Sequence, residues 1–108
     1  MKATTRDVND IAIIKVDGKI TIGAGDQQLR DVIAGASSNK ILLDLSGVTT
    51  IDSSGIGELV GSYTTVTNRG GKLKLLHLPA KLNELLHVTQ LITVFEVYES
   101  EREAIASF

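Results

Sequence analysis

Residues 40–57 read KILLDLSGVTTIDSSGIG. Lys40 to Leu45 is nearly all apolar, the composition of a central strand covered on both faces. Ser46-Gly47 predicts a turn. Beyond Ser53-Ser54-Gly55, the residues Ile56, Leu59, Val60, Tyr63 and Val66 fall on one stripe of a helix. Asn68 to Gly71 end that helix, with glycines suited to its C-terminal cap. A buried strand thus feeds a helix through a short polar loop holding one aspartate and two serines.

Working toward the N-terminus, Gly23-Ala24-Gly25 breaks the chain. From Asp26, Leu29, Val32, Ile33 and Ala36 have helical spacing, and Gly35 with Ser37-Ser38-Asn39 closes the helix. Ile11 to Val16 is a strand, and Asp17-Gly18, a turn dipeptide, predicts its end. Lys19 to Ile22 is a candidate extension, and residues 4–9 suit a polar edge strand. Working toward the C-terminus, residues 72–78 (KLKLLHL) predict a strand with Lys72 and Lys74 on its solvent side. Pro79 suits the first turn of a helix, which Leu82, Leu85, Leu86 and Val88 continue. Val94 to Tyr98 predicts a last strand. Ser100 with Glu103 has capping-box spacing, opening a final helix with Ala104 and Ile105 inward.

The order β-β-α-β-α-β-α-β-α implies an α/β fold: a mixed, mainly parallel sheet of about five strands with helices packed against it. A chain of 108 residues with 43% hydrophobic residues is expected to form one domain over residues 1–108 with a real core. The formal net charge of −2 and the absence of a basic cluster argue against direct nucleic-acid binding. The aromatics are only Tyr63, Phe95, Tyr98 and Phe108, too few for a base-stacking platform. There are no cysteines, hence no disulfides or thiolate metal sites. Residues 1–10 have no apolar core of a signal peptide, and no apolar run approaches a membrane span. A cytoplasmic location is expected.

The chemistry sits in Asp52-Ser53-Ser54-Gly55. The first backbone N–H groups of a helix lack internal partners, and the macrodipole is positive there. A phosphoryl group on a serine at that point would meet free donors. The fold could then accept roughly −1.5 to −2 added charges without unfolding, whereas a partner docked there would meet a hydrated dianion. The plainer reading is that Asp and Ser are favoured N-cap residues. The spacing is not a capping box, since Glu58 lies four residues after Ser54.

The run Ile51-Asp52-Ser53-Ser54-Gly55-Ile56-Gly57 resembles the signature of the STAS family, the sulphate-transporter and anti-sigma-factor-antagonist domain. Leu42 to Val48, Gly70 to Leu75, Leu82 to Leu86 and Val94 to Tyr98 resemble its other segments, so the likeness spans essentially the whole chain. For bacterial members of this size the resemblance implies partner switching. The unphosphorylated protein binds an anti-sigma factor that is also a serine kinase, and the sigma factor is released. The kinase phosphorylates the first hydroxyl residue after the motif aspartate, here Ser53, and a PP2C-type phosphatase reverses it. Asp52, Ser54 and Gly55 are implied to shape the site and to touch the partner. Many antagonists carry an acidic residue after a Gly-x-apolar pattern. Gly18-Lys19-Ile20-Thr21 places Thr21 there, a partner-contact position with altered chemistry. The resemblance implies no enzyme activity, no cofactor, no metal, and a monomer or weak dimer.

Two other functions stay open at this level: a STAS scaffold or adaptor that is never phosphorylated, and a small enzyme or nucleotide-binding protein using the helix start at Ser53. The sequence offers the latter little. Gly23-Ala24-Gly25 begins a dinucleotide fingerprint, but Gln28 stands at its last glycine. His77 and His87 have no cysteine or paired carboxylate near them, so a zinc site is not expected. His77 is read as a packing residue in its strand and His87 as a helix-surface residue. No Gly-x-Ser-x-Gly elbow supports a hydrolase triad on Ser53. Asp44, at a strand end, lacks the acidic cluster of a receiver domain, since only Asp10 and Asp17 are available.

Overall fold

The computed structural model describes residues 1–108. Five strands form one sheet in the order β1-β2-β3-β4-β5: Lys2–Val8, Ile11–Ile20, Lys40–Ile51, Lys72–Leu76 and Val97–Tyr98. β1 runs antiparallel to β2 and the remaining pairs are parallel. The helices are α1 (Asp26–Ala34), α2 (Ser53–Asn68), α3 (Ala80–Val88) and α4 (Glu101–Ala106), with a 3₁₀ turn at Leu91–Thr93. This is the expected mixed α/β sheet.

Side chains alternate across the strands. One sheet face carries Ile14, Val16, Ile41, Leu43, Leu45, Leu73 and Leu75 and packs with Leu29 and Ile33 of α1, Leu59 and Val66 of α2, and Leu82 and Leu86 of α3. The opposite face is smaller: Ile11, Ile13, Leu42 and Leu76 are covered by Ala104, Ile105 and Phe108 at the C-terminal end. β2, β3 and β4 are therefore apolar on both faces where these layers overlap, which is why Ile41-Leu42-Leu43 is wholly buried.

Several expectations fail, each for a local reason. Neither Asp17-Gly18 nor Ser46-Gly47 ends its strand. The two dipeptides meet across the strands through Asp17 opposite Gly47, with Gly18 opposite Val48 and Ser46 left out at a register shift. A Cβ on Gly47 would lie 1.9 Å from Asp17 Oδ1, so the glycine admits its neighbour's carboxylate, and the extra residues at both shifts fall on β3, which bulges against β2. Lys74 does not face solvent; it is 3% exposed on the α4 side. His77 is not in a strand, because β4 stops at Leu76 and His77 takes a left-handed φ of 56°. The last strand shrinks to Val97–Tyr98, with Val94 to Glu96 outside it. The first strand is Lys2–Val8 rather than 4–9. Val88 is 75% exposed, and Pro79 is the N-cap of α3 rather than its first helical residue. Ser100 caps α4 by accepting from the Glu103 N–H at 3.3 Å.

Candidate functional site

β2 and β3 end side by side, Ile20 in register with Ile51, and the chain leaves each into a helix. After β2 it makes a tight turn: Thr21 N–H donates to Ala24 O at 2.8 Å and Ala24 N–H to Thr21 O at 2.9 Å. The Thr21 hydroxyl donates to the same Ala24 carbonyl at 3.3 Å. Gly25 then caps α1 at φ 102°, and a Cβ there would sit 2.0 Å from Lys19 O. Only glycine satisfies both the conformation and the space. The turn pushes Ile22 outward, leaving it 76% exposed.

After β3, Asp52 caps α2 in extended conformation. One carboxylate oxygen accepts from the Gly55 N–H at 3.0 Å. The other accepts from the Ile22 N–H, also at 3.0 Å. Asp52 therefore joins the start of α2 to the tip of the β2–α1 turn. These N–H groups, Ile22 first and Gly55 next, hold the Asp52 carboxyl below the ordinary carboxylate range, because each bonds the charged form. Gly55 is buried for a steric reason. A Cβ on it would lie 2.1 Å from Ile20 O and 2.7 Å from Ile51 Cγ1, so the first turn of α2 rests directly on the strand ends.

Ser53 is exposed at the first helical position, Ser54 is half-buried and Thr21 half-buried. With the cap supplied by Asp52, the Ser53 hydroxyl is not consumed in holding the helix. The structure thus brings the five residues singled out in the sequence to one end of the sheet: Asp52, Ser53, Ser54 and Gly55 on one wall, Thr21 in the facing turn. Ile22 is the residue sequence reading missed. Its signal was an isoleucine inside a glycine-rich turn, a place where apolar side chains have no local packing partner.

Other candidates do not converge here. Asp44 Oδ1 accepts from the Ser46 N–H at 3.0 Å, and Lys15 Nζ lies 3.4 Å from Asp17 Oδ1. His87 Nδ1 is 2.7 Å from its own helix carbonyl, Asn83 O. Neither histidine is hydrogen-bonded to Ser53. No group of three His, Cys, Asp or Glu side chains comes close enough to hold a metal ion. No helix is long and apolar enough to cross a membrane.

Comparison with known proteins agrees with this geometry. The family model for the STAS domain matches residues 2–104. The anti-sigma F factor antagonist of Paenibacillus polymyxa is 24% identical over 98 residues, covering 88% of this chain and 84% of that protein. The crystal structure of a candidate anti-sigma factor antagonist from Thermotoga maritima superposes with a TM-score of 0.88 at 25% identity, over 97% of this chain and 92% of that one. The Bacillus cell fate determinant SpoIIAA, in its phosphorylated form, shares the fold with a TM-score of 0.72 at 19% identity, over 98% of each chain.

Proposed function

The chain belongs to the STAS domain family, and from that premise we propose that it is an anti-sigma factor antagonist switched at Ser53. Unphosphorylated, it binds an anti-sigma factor that is also a serine kinase. Transfer of a phosphoryl group from ATP to Ser53 Oγ releases it, and a PP2C-type phosphatase restores it. It acts by binding, without turnover of its own, in the cytoplasm.

The observation that carries this reading is the division of labour at α2. Asp52 takes the capping role, so Ser53 stands exposed at the helix start with its hydroxyl free for modification. A phosphoryl group there meets the positive end of a 16-residue helix. Ile22, held beside it by Asp52, supplies apolar area that a partner can bury and that a neighbouring dianion would spoil. A scaffold that is never phosphorylated is the second reading. It is favoured by Thr21, whose hydroxyl is spent inside its own turn where many antagonists offer a carboxylate.

The test is phosphate transfer. The protein is incubated with ATP and each anti-sigma-type kinase of its own source, and the product is mapped by mass spectrometry. Phosphate on Ser53, its absence in Ser53→Ala, and weaker kinase binding by the phosphorylated form are expected. An unmodified Ser53 with every kinase would leave the scaffold reading in its place.

A further inference from the structure

A cleft of about 210 Å³ separates α1 from α2, one turn and more beyond Ser53. Its floor is the exposed backbone at Gly57 and Gly61, where an added Cβ would meet nothing within 4 Å. Glycines inside a helix cost stability relative to alanine, and neither is needed here for packing within the chain. The more telling residue is Ser62. It lines the cleft and is only 6% exposed, yet its hydroxyl has no hydrogen-bond partner in the protein. No polar side-chain atom of the molecule is both sealed from solvent and unpaired. The remaining opening of the Ser62 hydroxyl is therefore into the cleft.

The charges around it are unequal. Arg30 of α1 is paired with Glu58 of α2, its Nε 3.2 Å from Oε2. Arg69, at the C-terminal end of α2, also lines the cleft and makes no ion pair within the chain. Two guanidinium groups thus face one carboxylate, beside the hydroxyls of Ser62 and Thr65. That set donates hydrogen bonds and asks for an anion. The volume bounds its size, since clefts that enclose drug-sized ligands run to roughly 300–1,000 Å³. This one is suited to a single side chain delivered by a protein.

We propose that the α1–α2 cleft is a second docking point for the partner, receiving a glutamate or aspartate side chain from a partner helix laid along Gly57 and Gly61. The inserted carboxylate accepts from the Ser62 hydroxyl and pairs with Arg69, while the bare glycine backbone lets the partner helix approach closely. The partner is the anti-sigma factor already proposed, so the docking role rests on that reading. The carboxylate site itself does not.

The experiment has two arms on the full chain. In the first, the ¹⁵N-labelled protein is titrated with propionate, a stand-in for a glutamate side chain, against chloride at equal ionic strength. Saturable shifts of the Gly61, Ser62, Thr65 and Arg69 amides are expected, lost in Arg69→Glu and in Gly61→Leu, which fills the cleft without removing a packed group. The absence of saturable shifts overturns the site. In the second, binding of the anti-sigma factor is measured. Its Kd is expected to rise about tenfold or more in both variants, with folding unchanged by circular dichroism. If the factor binds wild type and both variants equally, the docking role is wrong even where propionate binds. If it does not bind wild type, the antagonist reading falls and the docking role with it, while the propionate arm still decides the cleft.

Discussion

The carboxylate of Asp52 accepts the backbone N–H of Ile22 at 3.0 Å, thirty residues away in sequence. It accepts that of Gly55 at the same distance with its other oxygen. Replacing Asp52 with alanine removes both acceptors. The α2 cap is lost, and the β2–α1 turn loses its only side-chain tie to α2. Asp52→Ala is expected to lower the denaturant midpoint and to speed amide exchange at Ile22 more than at buried Ile14. Unchanged exchange at Ile22 would show that the turn holds itself through Thr21 and Ala24 alone.

The same contact fixes a pH dependence. The folded carboxyl lies below its ordinary range, chiefly through the Ile22 N–H. The stability it contributes is therefore fully present above the unfolded value of about 3.9, and is lost as pH falls through the lower folded value. The Ile22 and Gly55 amide resonances are expected to titrate together, with a midpoint below about 3.9. A midpoint at or above that value would mean that the carboxylate is not held by these donors.

Two glycines on the same helix give opposite expectations. Gly55→Ala drives a Cβ into Ile20 O and Ile51. The obstruction includes backbone, so α2 must lift from the strand ends, at a cost of about 1–3 kcal/mol. Gly57→Ala meets nothing and is expected to stabilise by roughly 0.5–1 kcal/mol through helix propensity. Urea denaturation of the two variants checks the contrast.

The pattern is legible where one local signal dominates. Ile41 to Leu45 is a nearly unbroken apolar run and Ile56 to Val66 a single helical stripe, and both appear as expected. The misreadings came from contacts between distant residues. Asp17-Gly18 and Ser46-Gly47 each look like a turn alone; only the pairing of Asp17 with Gly47 across β2 and β3 keeps both inside strands, with the extra residues taken up as bulges on β3. Lys74 follows the alternation of an exposed position, and the sequence pattern carries no sign that residues 104–108 fold back over it. At the site, a cap at the start of α2 was legible from helix-start chemistry, and Asp52 supplies it, whereas Ser53 was singled out by the family resemblance. Ile22 was not, because its role depends on an N–H held by a residue thirty positions later.

Ile22 offers a direct test of the binding face. It is 76% exposed, so Ile22→Ser should alter folding stability by no more than about 0.5 kcal/mol. If the proposed partner covers this turn, its Kd should rise about tenfold, because an apolar anchor beside Ser53 is lost. Calorimetric titration with the anti-sigma factor measures this. Equal affinity would place the interface elsewhere on α2.

Lys74 holds the other face of the sheet. Its ammonium donates to Ser107 O at 2.8 Å and to Ser107 Oγ at 3.0 Å, lies 3.3 Å from Glu96 Oε2, and sits 4.8 Å from the Phe108 ring centroid. A cation at the C-terminal end of α4 favours that helix, and the ring face attracts it further. Burying the charge costs several kcal/mol before these contacts offset it. The net effect is therefore small, and the shape of the side chain matters more than its charge. Lys74→Met keeps the stem and should change stability by less than about 1 kcal/mol. Lys74→Ala leaves a void beneath Phe108 and should cost about 1–3 kcal/mol, with amides of α4 losing protection before those of α2. If methionine were as damaging as alanine, the ammonium itself, rather than its packing, would be what fastens residues 101–108 to the sheet.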